Sequence, residues 1–441
     1  MGAELLCSSG RTTYTPEARA NRDDGSRSWG CPPRKVVGTN ASQTERIPER
    51  ILAMESPRHH SDYLSHGLMR LVDDIHANAP PQSSGLGQVV YGSSQLAGFS
   101  EERVEYCGID VSDLVDQHSF ETVVWLLLTG QIPTSEQQAD AAAILKESAI
   151  VEQSAVDALY GLPLRTRPLE MLPLAVSMLS YFDTTQFDRS SVATRSRVLR
   201  ILAQLPSMLD CGLNGRSPRG RQKTDNTPLS LAGSILRLVK NQPGSSNDTA
   251  EILPVEEEAI NAVLICQCLT ELRPACFAAR FFGSTVNDIM PSLRSAASLY
   301  VAQMQNDPYE WIGSQLRSFR SPDLAEKWLC GRQDQTIPFG FIPEETDPRA
   351  VILQRVSRRL LGCGERIRTA ACAERLEQLM KQQDQYATMD WTASVILTLL
   401  DVPPEKMSLA IALARTAGWA AQAIDQNTSG VSLLPQLQYA L

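Results

Sequence analysis

A long series of apolar segments with helical periodicity constrains the fold of this chain more than any other feature. Leucine, isoleucine, valine and alanine recur at spacings of three and four, and the segments stop at Gly, Pro or Asn. The segments read SFETVVWLLLTG, QADAAAILKESAIV, EMLPLAVSMLSYF, VATRSRVLRILAQLPSML, SLAGSILRLVKN and EEEAINAVLICQCLTEL. We therefore predict an all-α protein, with small strands in the stretch GLGQVVYGSSQLAGFS that precedes these segments and almost entirely helical structure after it.

Composition and charge argue against several classes of protein. The chain has 441 residues, 43% of them hydrophobic, which is enough to bury a large core in about two or three structural units. Its formal net charge of -9 argues against a nucleic-acid binder, because phosphate binding needs clustered Lys and Arg. The one basic stretch, RSPRGRQK at 216–223, is interpreted as a solvated insertion. No apolar run approaches the roughly 20 residues that span a bilayer, so we predict no membrane segment.

The cysteines and the N-terminal segment bear on compartment and order. The ten cysteines form no C-x-x-C pair, and the closest, Cys266 and Cys268, are two positions apart. This pattern predicts reduced thiols, no metal site and a cytoplasmic location.

Residues 1–80 are rich in Arg, Ser, Pro and Thr, so we predict that they are disordered. Alternatively, translation begins at Met54, and the residues before it are a wrongly assigned N-terminal extension.

One charged side chain lies among small apolar residues near the C-terminus. In ALARTAGWAAQAIDQ, Arg415 is surrounded by Ala, Leu and Trp. Because a guanidinium stays charged at any ordinary pH, such a site must supply an anion, a carbonyl or a route to water. Two interpretations remain open. Arg415 is either a structural arginine that reaches solvent or an ion-pair partner, or it is a clamp for a carboxylate.

The order of five segments resembles the citrate synthase family. The segments are YCGIDVSDLVDQHSFETVVWLLLTGQIPT, RPLEMLPLAVSML, ELRPACFAARFFGSTVNDI, TDPRAVIL and ALARTAGWAAQAIDQ. The resemblance implies an all-α citrate synthase fold with a large helical domain at 81–300 and 396–441. It also implies a smaller inserted helical domain at 301–395, an active site in the cleft between the two, and a homodimer or a heterodimer with a paralogue.

The family's reaction indicates which residues to expect. It condenses the methyl group of acetyl-CoA with the ketone of oxaloacetate, a step of the tricarboxylic acid cycle, and uses an aspartate as base, histidines as donors and arginines for the carboxylates. TMDWTASVILTLLDVPP places Asp390 at the position of the base. TDPRA and ARTAGW place Arg349 and Arg415 where the family holds its dicarboxylate. Without the resemblance, Asp390 is interpreted as a helix N-cap or a solvated surface acid. For each arginine, the alternative interpretation is a structural ion pair.

The histidines that the family uses are missing. No histidine follows residue 118; the five in the chain are His59, His60, His66, His76 and His118. Thr270 stands where the resemblance implies an oxaloacetate-contacting histidine, and Gly340 or Phe341 where it implies the histidine that polarises the ketone. QNDPYEWIGSQLRSF replaces the loop of the enolate-stabilising histidine, and Leu434 lies where the family offers an Arg-Pro pair to the partner subunit.

These losses predict little or no condensing activity. A positioned acid or base contributes roughly 10²–10⁴ in rate and an oxyanion donor about 10²–10³. Glu344 or Glu345 cannot substitute, because an ionised carboxylate only accepts hydrogen bonds. A protonated acid, a tyrosine such as Tyr309, or ordered water could donate. The segment that replaces the CoA-contacting loops has as many acids as bases, so a CoA thioester is a doubtful substrate, and we predict no bound cofactor.

Three functional hypotheses follow. The first is a catalytically degenerate citrate synthase-like protein that binds a dicarboxylate or 2-oxo acid and acts as a regulatory or partner subunit. The second is an active acyltransferase with altered substrate or mechanism, in which Asp390 is the base and Arg349 and Arg415 are the anchors. The third is a purely structural helical protein without a ligand.

Overall fold

The computed structural model of this protein describes most of the chain beyond residue 90. The described residues are 90, 92–100, 102–148, 150–163, 165–214, 230–241, 252–331, 340–343, 346–361 and 365–435. The segment predicted to be disordered, the basic stretch at 216–223, and the pair Glu344 and Glu345 lie outside the described residues.

Sixteen α-helices make up most of the described chain, which confirms the predicted all-α class. In chain order they are α1 Val111–Gln117, α2 Phe120–Thr129, α3 Ser135–Ser148, α4 Gln153–Tyr160, α5 Met171–Tyr181, α6 Ser191–Asn214, α7 Leu231–Lys240, α8 Pro254–Cys268, α9 Pro274–Thr285, α10 Ile289–Gln303, α11 Pro308–Ser318, α12 Pro322–Cys330, α13 Pro348–Arg359, α14 Glu365–Lys381, α15 Met389–Leu399 and α16 Pro404–Ser429. Short 3₁₀ turns at Pro168–Glu170 and Met304–Asn306 lead into α5 and follow α10.

Five short strands form two small antiparallel sheets in the described part of the chain. Strands β1 (Ala97–Phe99), β2 (Val104–Tyr106) and β3 (Ile109–Asp110) pair in sequence order. Strands β4 (Phe341–Pro343) and β5 (Gln385–Ala387) pair with each other. Within the described part of GLGQVVYGSSQLAGFS, Ala97–Phe99 is a strand, as predicted, and the other four strands lie outside that stretch.

Many helices begin at a polar cap followed by an acid or a proline. The cap side chain accepts a hydrogen bond from a free N–H of the first turn, and a proline just after it starts the helix without losing a bond. Caps with such a bond are Asp110, Ser119, Ser230, Asp288, Asp307, Ser321, Asp347 and Thr388. The sequence therefore fixes where α11, α13 and α15 start, and these three helices carry or border the candidate site.

Helix α16 is buried along most of its length, and its small residues let neighbouring helices come close. A Cβ built on Gly418 would lie 1.8 Å from the carbonyl oxygen of Cys268 at the end of α8. On α9, a Cβ on Gly283 would lie 2.5 Å from the carbonyl oxygen of Ala423. Only glycine permits these two approaches. The two glycines let α8 and α9 pack directly against α16. The close approach of one neighbouring helix was predicted from Gly418 in ALARTAGWAAQAIDQ.

The division at 301–395 remains a prediction. Helices α11 to α14 and most of α15 lie in the range predicted for the small domain, whereas α8, α9 and α16 lie in the range predicted for the large one. Within the described residues, the longest apolar helices are too short or too polar to cross a membrane.

Candidate functional site

Four side chains from four helices meet in one hydrogen-bonded group, which we call the quartet. Gln267 comes from the last turn of α8, Tyr309 from the first turn of α11, Asp390 from the first turn of α15 and Arg415 from the middle of α16. Because α8 and α16 lie in the range predicted for the large domain and α11 and α15 in the range predicted for the small one, the quartet joins the two ranges.

Hydrogen bonds hold the quartet together. Nη2 of Arg415 donates to Oε1 of Gln267 at 3.0 Å and to the hydroxyl of Tyr309 at 3.0 Å. The Tyr309 hydroxyl donates to Oδ1 of Asp390 at 2.6 Å, and Nε2 of Gln267 donates to the same oxygen at 3.1 Å. Arg415 and Asp390 also form an ion pair, with 3.7 Å between Nη2 and Oδ1. The structure thus brings together two of the three predicted site residues.

Asp390 is ionised and partly open. Its side chain keeps 21% of its surface exposed, whereas that of Arg415 keeps 6%. Burial by itself would raise the pKa of Asp390, but Arg415, Arg273 and the bonds from Tyr309 and Gln267 outweigh it and hold that pKa below its usual value. Thr388 provides the cap of α15, so Asp390 is not the helix cap that its position also allowed.

The tyrosine of the quartet keeps its proton. Burial is the main cause that raises the pKa of Tyr309 well above its usual value, and the neighbouring Asp390 carboxylate adds to the rise, while Arg415 opposes it. The Tyr309 hydroxyl is therefore a hydrogen-bond donor at any ordinary pH.

Arg415 has donors that the quartet does not use. Its Nε is buried and has no acceptor among the described residues. Its guanidinium carbon lies 5.1 Å from the centre of the Tyr300 ring, whose buried hydroxyl likewise has no partner in the described structure. Arg273, at the start of α9, adds positive charge that acts on both Asp390 and Tyr300. Unpaired buried polar groups are rare in proteins, which makes this edge of Arg415 unusual among the described residues.

Arg349 lies in a different set of contacts. Its Nε and Nη2 donate to the two carboxylate oxygens of Asp347 at 3.1 Å and 3.2 Å. Its Nη1 donates to the carbonyl of Leu269 at 3.2 Å, and Nη2 lies 3.5 Å from Glu271. In this structure the guanidinium is a structural ion pair with Asp347, and its role as a substrate anchor remains a prediction.

Thr270 and Gly340 stand at the positions of two expected histidines, and Leu434 at that of the expected Arg-Pro pair. Thr270 is buried and donates to the carbonyl of its neighbour Glu271 at 3.2 Å. The carbonyl of Gly340 accepts the backbone N–H and the hydroxyl of Thr388 at 2.8 Å and 3.0 Å. Leu434 is exposed. These three residues supply no side-chain N–H donor to the quartet.

Two site residues have no distinguishing pattern in the sequence. Gln267 lies in the last turn of α8, and Tyr300 lies near the end of α10; both are ordinary residues of buried helix faces. Tyr309 could be named from chemistry alone, as an O–H donor in the segment that replaces the histidine loop. Among the described residues, no group of three or more His, Cys, Asp or Glu side chains is placed to hold a metal ion.

Comparison with known proteins agrees with the fold and the order of segments. A family model described as citrate synthase, C-terminal domain, matches residues 85–434. The chain belongs to the citrate synthase family. It is 22% identical over 362 residues to citrate synthase 2 of Bacillus subtilis, covering 80% of this chain and 95% of that protein. It is 24% identical over 363 residues to 2-methylcitrate synthase 1 of Corynebacterium glutamicum, covering 80% and 94%.

Solved structures of citrate synthases share the fold. The citrate synthase of Thermoplasma acidophilum, solved as a ternary complex with carboxymethyl coenzyme A and oxaloacetate, superposes with a TM-score of 0.67 at 18% identity. The alignment covers 81% of this chain and 96% of that one. The citrate synthase of Thermotoga maritima gives a TM-score of 0.62 at 20% identity, covering 81% and 95%. These values establish a citrate synthase fold for this family member.

Proposed function

We propose that this member of the citrate synthase family binds a dicarboxylate or 2-oxo acid at Arg415 and catalyses little or no condensation. The observation that carries the proposal is the unused edge of Arg415, whose buried Nε has no acceptor while the nearby Tyr300 hydroxyl also has no partner among the described residues. A carboxylate oxygen would accept from both groups, and a charge-assisted bond of this kind is about twice as strong as a neutral one.

The charges around this edge favour an anion. Arg273 and Arg415 both act on the site, and Asp390 is the acid that offsets them. A second carboxylate of the ligand would lie toward Arg273, whose positive charge acts on both Asp390 and Tyr300. The site therefore fits a small molecule with two acidic or oxo groups better than a neutral one.

The same geometry weakens Asp390 as a base. A carboxylate with a lowered pKa accepts a proton less readily, and removing a proton from a methyl group next to a thioester needs a strong base. Tyr309 is an available O–H donor, but its hydroxyl is bonded to Asp390 itself. No histidine follows residue 118 to stabilise an enolate or polarise a ketone. These features support the degenerate interpretation.

Two measurements on the purified full chain test the proposal. One is thiol release from acetyl-CoA with oxaloacetate, and the other is the shift of the thermal unfolding midpoint on adding oxaloacetate or citrate. Stabilisation without turnover supports the proposal. Turnover near the typical value of about 10 s⁻¹ contradicts it and indicates an active acyltransferase. Absence of both indicates a structural helical protein.

A second candidate is an acyltransferase of altered substrate. Two features favour it: the Asp390 carboxylate stays 21% exposed, and the chain is similar to a 2-methylcitrate synthase as well as to citrate synthases. In this case Asp390 is the base, Tyr309 supplies the proton to the developing oxygen anion, and a longer acyl-CoA is the substrate. Thiol release with propionyl-CoA, measured beside acetyl-CoA, distinguishes it from the first proposal.

We also propose that the protein works as a homodimer or as a heterodimer with a paralogue in the cytoplasm. Exposed apolar side chains near the end of α5 and the start of α6 support an interface: Tyr181, Phe187 and Val192. Single exposed apolar residues are normal, whereas a contiguous apolar patch marks a contact surface, and we propose that these three side chains belong to such a patch. Sedimentation of the native protein at micromolar concentration checks the oligomeric state.

A further inference from the structure

We propose that the groove between α13 and α14 is a second ligand site, which takes a small molecule with a nitrogen-donor head and an anionic tail. A cavity of about 380 Å³ lies there, over the face of α15 and the strand β5. Neither Asp390 nor Arg415 lines it, so it is separate from the quartet. Pockets that hold small ligands have volumes of roughly 300–1,000 Å³ and combine apolar walls with a few polar groups.

Glu377 is a polar group of the cavity whose carboxylate is held in place by two neighbouring side chains. Nε1 of Trp391 donates to its Oε1 at 2.7 Å, and Nε2 of Gln354 donates to its Oε2 at 3.0 Å. Each carboxylate oxygen can still accept one more bond. The side chain is thus fixed in orientation by α13 and α15 and keeps free acceptor capacity toward the cavity.

A second acceptor in the same cavity has no partner. Oε1 of Gln385, on β5, is buried and unpaired among the described residues. Gln385 lines the cavity together with Glu377. Because leaving a buried carbonyl oxygen without a donor costs free energy, a ligand N–H that reached it would bind favourably. The two acceptors select a head that donates hydrogen bonds, such as an ammonium or an amino group.

The rim carries the opposite charge. Arg358 on α13 and Lys381 on α14 line the cavity and are exposed, beside the exposed acid Glu374. An anionic tail of a ligand would lie between the two cations, while the head lies at Glu377. The walls between them are apolar and include Val351, Ala373 and Val395, and these would contact a hydrocarbon or aromatic middle.

The ionisation of Glu377 makes binding of a cationic head depend on pH. Burial is the main cause that raises the pKa of Glu377 to about 7, with Glu374 adding to the rise, while the bonds from Trp391 and Gln354 and the Arg358 charge oppose it. An ammonium head prefers the ionised acid. Its affinity should therefore be about tenfold higher at pH 8 than at pH 6, since the ionised fraction rises by about that factor. Lys381 and Tyr386 also line the cavity.

Calorimetric titration of the full chain with matched probes tests the proposal. 6-Aminohexanoate has an ammonium head and a carboxylate tail; hexanoate lacks the head and hexylamine lacks the tail. AMP has an amino head and a phosphate tail; adenosine and ribose 5-phosphate each lack one of them. The two sets distinguish an amino acid from a nucleotide as the source. We expect one complete probe to bind at least tenfold more tightly than both of its truncated controls.

Variants assign the binding to the groove. We expect Glu377→Gln to weaken the bound probe about tenfold at pH 8 and, for the aminohexanoate arm, to remove its pH dependence. Lys381→Ala should weaken it several-fold at both pH values. Glu326→Gln removes an acid that pairs with Arg375 outside the cavity and should change nothing. Failure of both complete probes to bind, or binding that is unchanged by Glu377→Gln and Lys381→Ala, overturns the proposal.

Discussion

The hydroxyl of Tyr309 donates a hydrogen bond to Oδ1 of Asp390 at 2.6 Å. The same hydroxyl accepts from Arg415 at 3.0 Å, so one tyrosine connects the predicted base with the predicted carboxylate anchor. This contact explains how a chain without the family's histidines keeps a charged pair at the meeting point of four helices. The quartet supplies Asp390 with two hydrogen-bond donors and leaves the Nε of Arg415 without an acceptor among the described residues.

Replacing Tyr309 tests whether the quartet contributes to stability. Tyr309→Phe removes a hydroxyl that serves two charged partners, and we expect the free energy of unfolding to fall by about 1–3 kcal/mol. Tyr300→Phe is the matched control, because its buried hydroxyl has no partner among the described residues; we expect a change within about 0.5 kcal/mol. Urea unfolding of both variants measures the difference. Equal losses would show that the Tyr309 hydroxyl has no special role.

Asp390 should stabilise the fold in a pH-dependent manner. Its pKa is lowered in the folded state, so its contribution is present above the unfolded value of 3.8 and is lost as the pH falls through the folded pKa. Asp390→Asn leaves Arg415 without its counter-charge. We expect a loss of about 2–4 kcal/mol at pH 7, slightly less than for a fully buried pair because part of the carboxylate is exposed.

The pH profile provides the check on this assignment. The stability difference between wild type and Asp390→Asn should shrink as the pH falls below about 4. In this range the carboxyl of Asp390 becomes protonated in the unfolded chain before it does so in the folded protein. A difference that stays constant from pH 7 to pH 3 would mean that Asp390 acts through packing rather than charge.

Gly418 should tolerate no side chain. A Cβ there would lie 1.8 Å from the Cys268 carbonyl oxygen, so Gly418→Ala must push α8 away from α16. We expect a loss of about 3 kcal/mol or more. Gly161→Ala is the control, because its nearest neighbour, the carbonyl oxygen of Ala158, lies at an ordinary 3.5 Å. Thermal unfolding of both variants measures the contrast; similar midpoints would contradict the close helix approach.

Glu377 should lower stability at alkaline pH. The pKa of Glu377 is about 7 in the folded protein, against 4.5 for a free glutamate. The protonated side chain is therefore the form that favours folding, and its contribution to the free energy of unfolding is lost as the pH rises from 4.5 through 7. Glu377→Gln has no charge to bury. We expect the variant to match wild type near pH 4 and to be more stable by about 2–3 kcal/mol at pH 8. Urea unfolding at both pH values tests this, and a variant less stable than wild type at pH 8 would contradict it.

The helices follow from the sequence because their signals are local. The apolar period and the caps predict α2, α5 to α8 and α16, and Gly418 in ALARTAGWAAQAIDQ predicts close packing at that helix. The stretch GLGQVVYGSSQLAGFS contains the strand β1, as predicted, whereas β4 and β5, which pair with each other from distant parts of the chain, were not predicted.

The site was less predictable, because its contacts join helices far apart in sequence. Asp390 and Arg415 could be named from the resemblance, and the structure places them together. Gln267 and Tyr300 have no distinguishing pattern in the sequence, because their proximity to Arg415 arises only from the packing of α8 and α10 on α16. For Arg349, the partner was visible in TDPRA: Asp347, two residues earlier, caps α13 and holds the guanidinium on both oxygens. A local cap thus competes with the anchoring role that the family resemblance implies.

Calorimetric titration of the full chain with oxaloacetate is the most direct test of the central claim that Arg415 is a carboxylate anchor. Arg415→Lys keeps the positive charge but loses the planar donor edge of the guanidinium. The matched control is Arg280→Lys, which makes the same change in a buried arginine that donates to Gln426 and Asp425. We predict that wild type and Arg280→Lys bind oxaloacetate and that Arg415→Lys binds at least tenfold more weakly while still folded. Equal affinity in all three proteins, or no binding by wild type, would contradict the account.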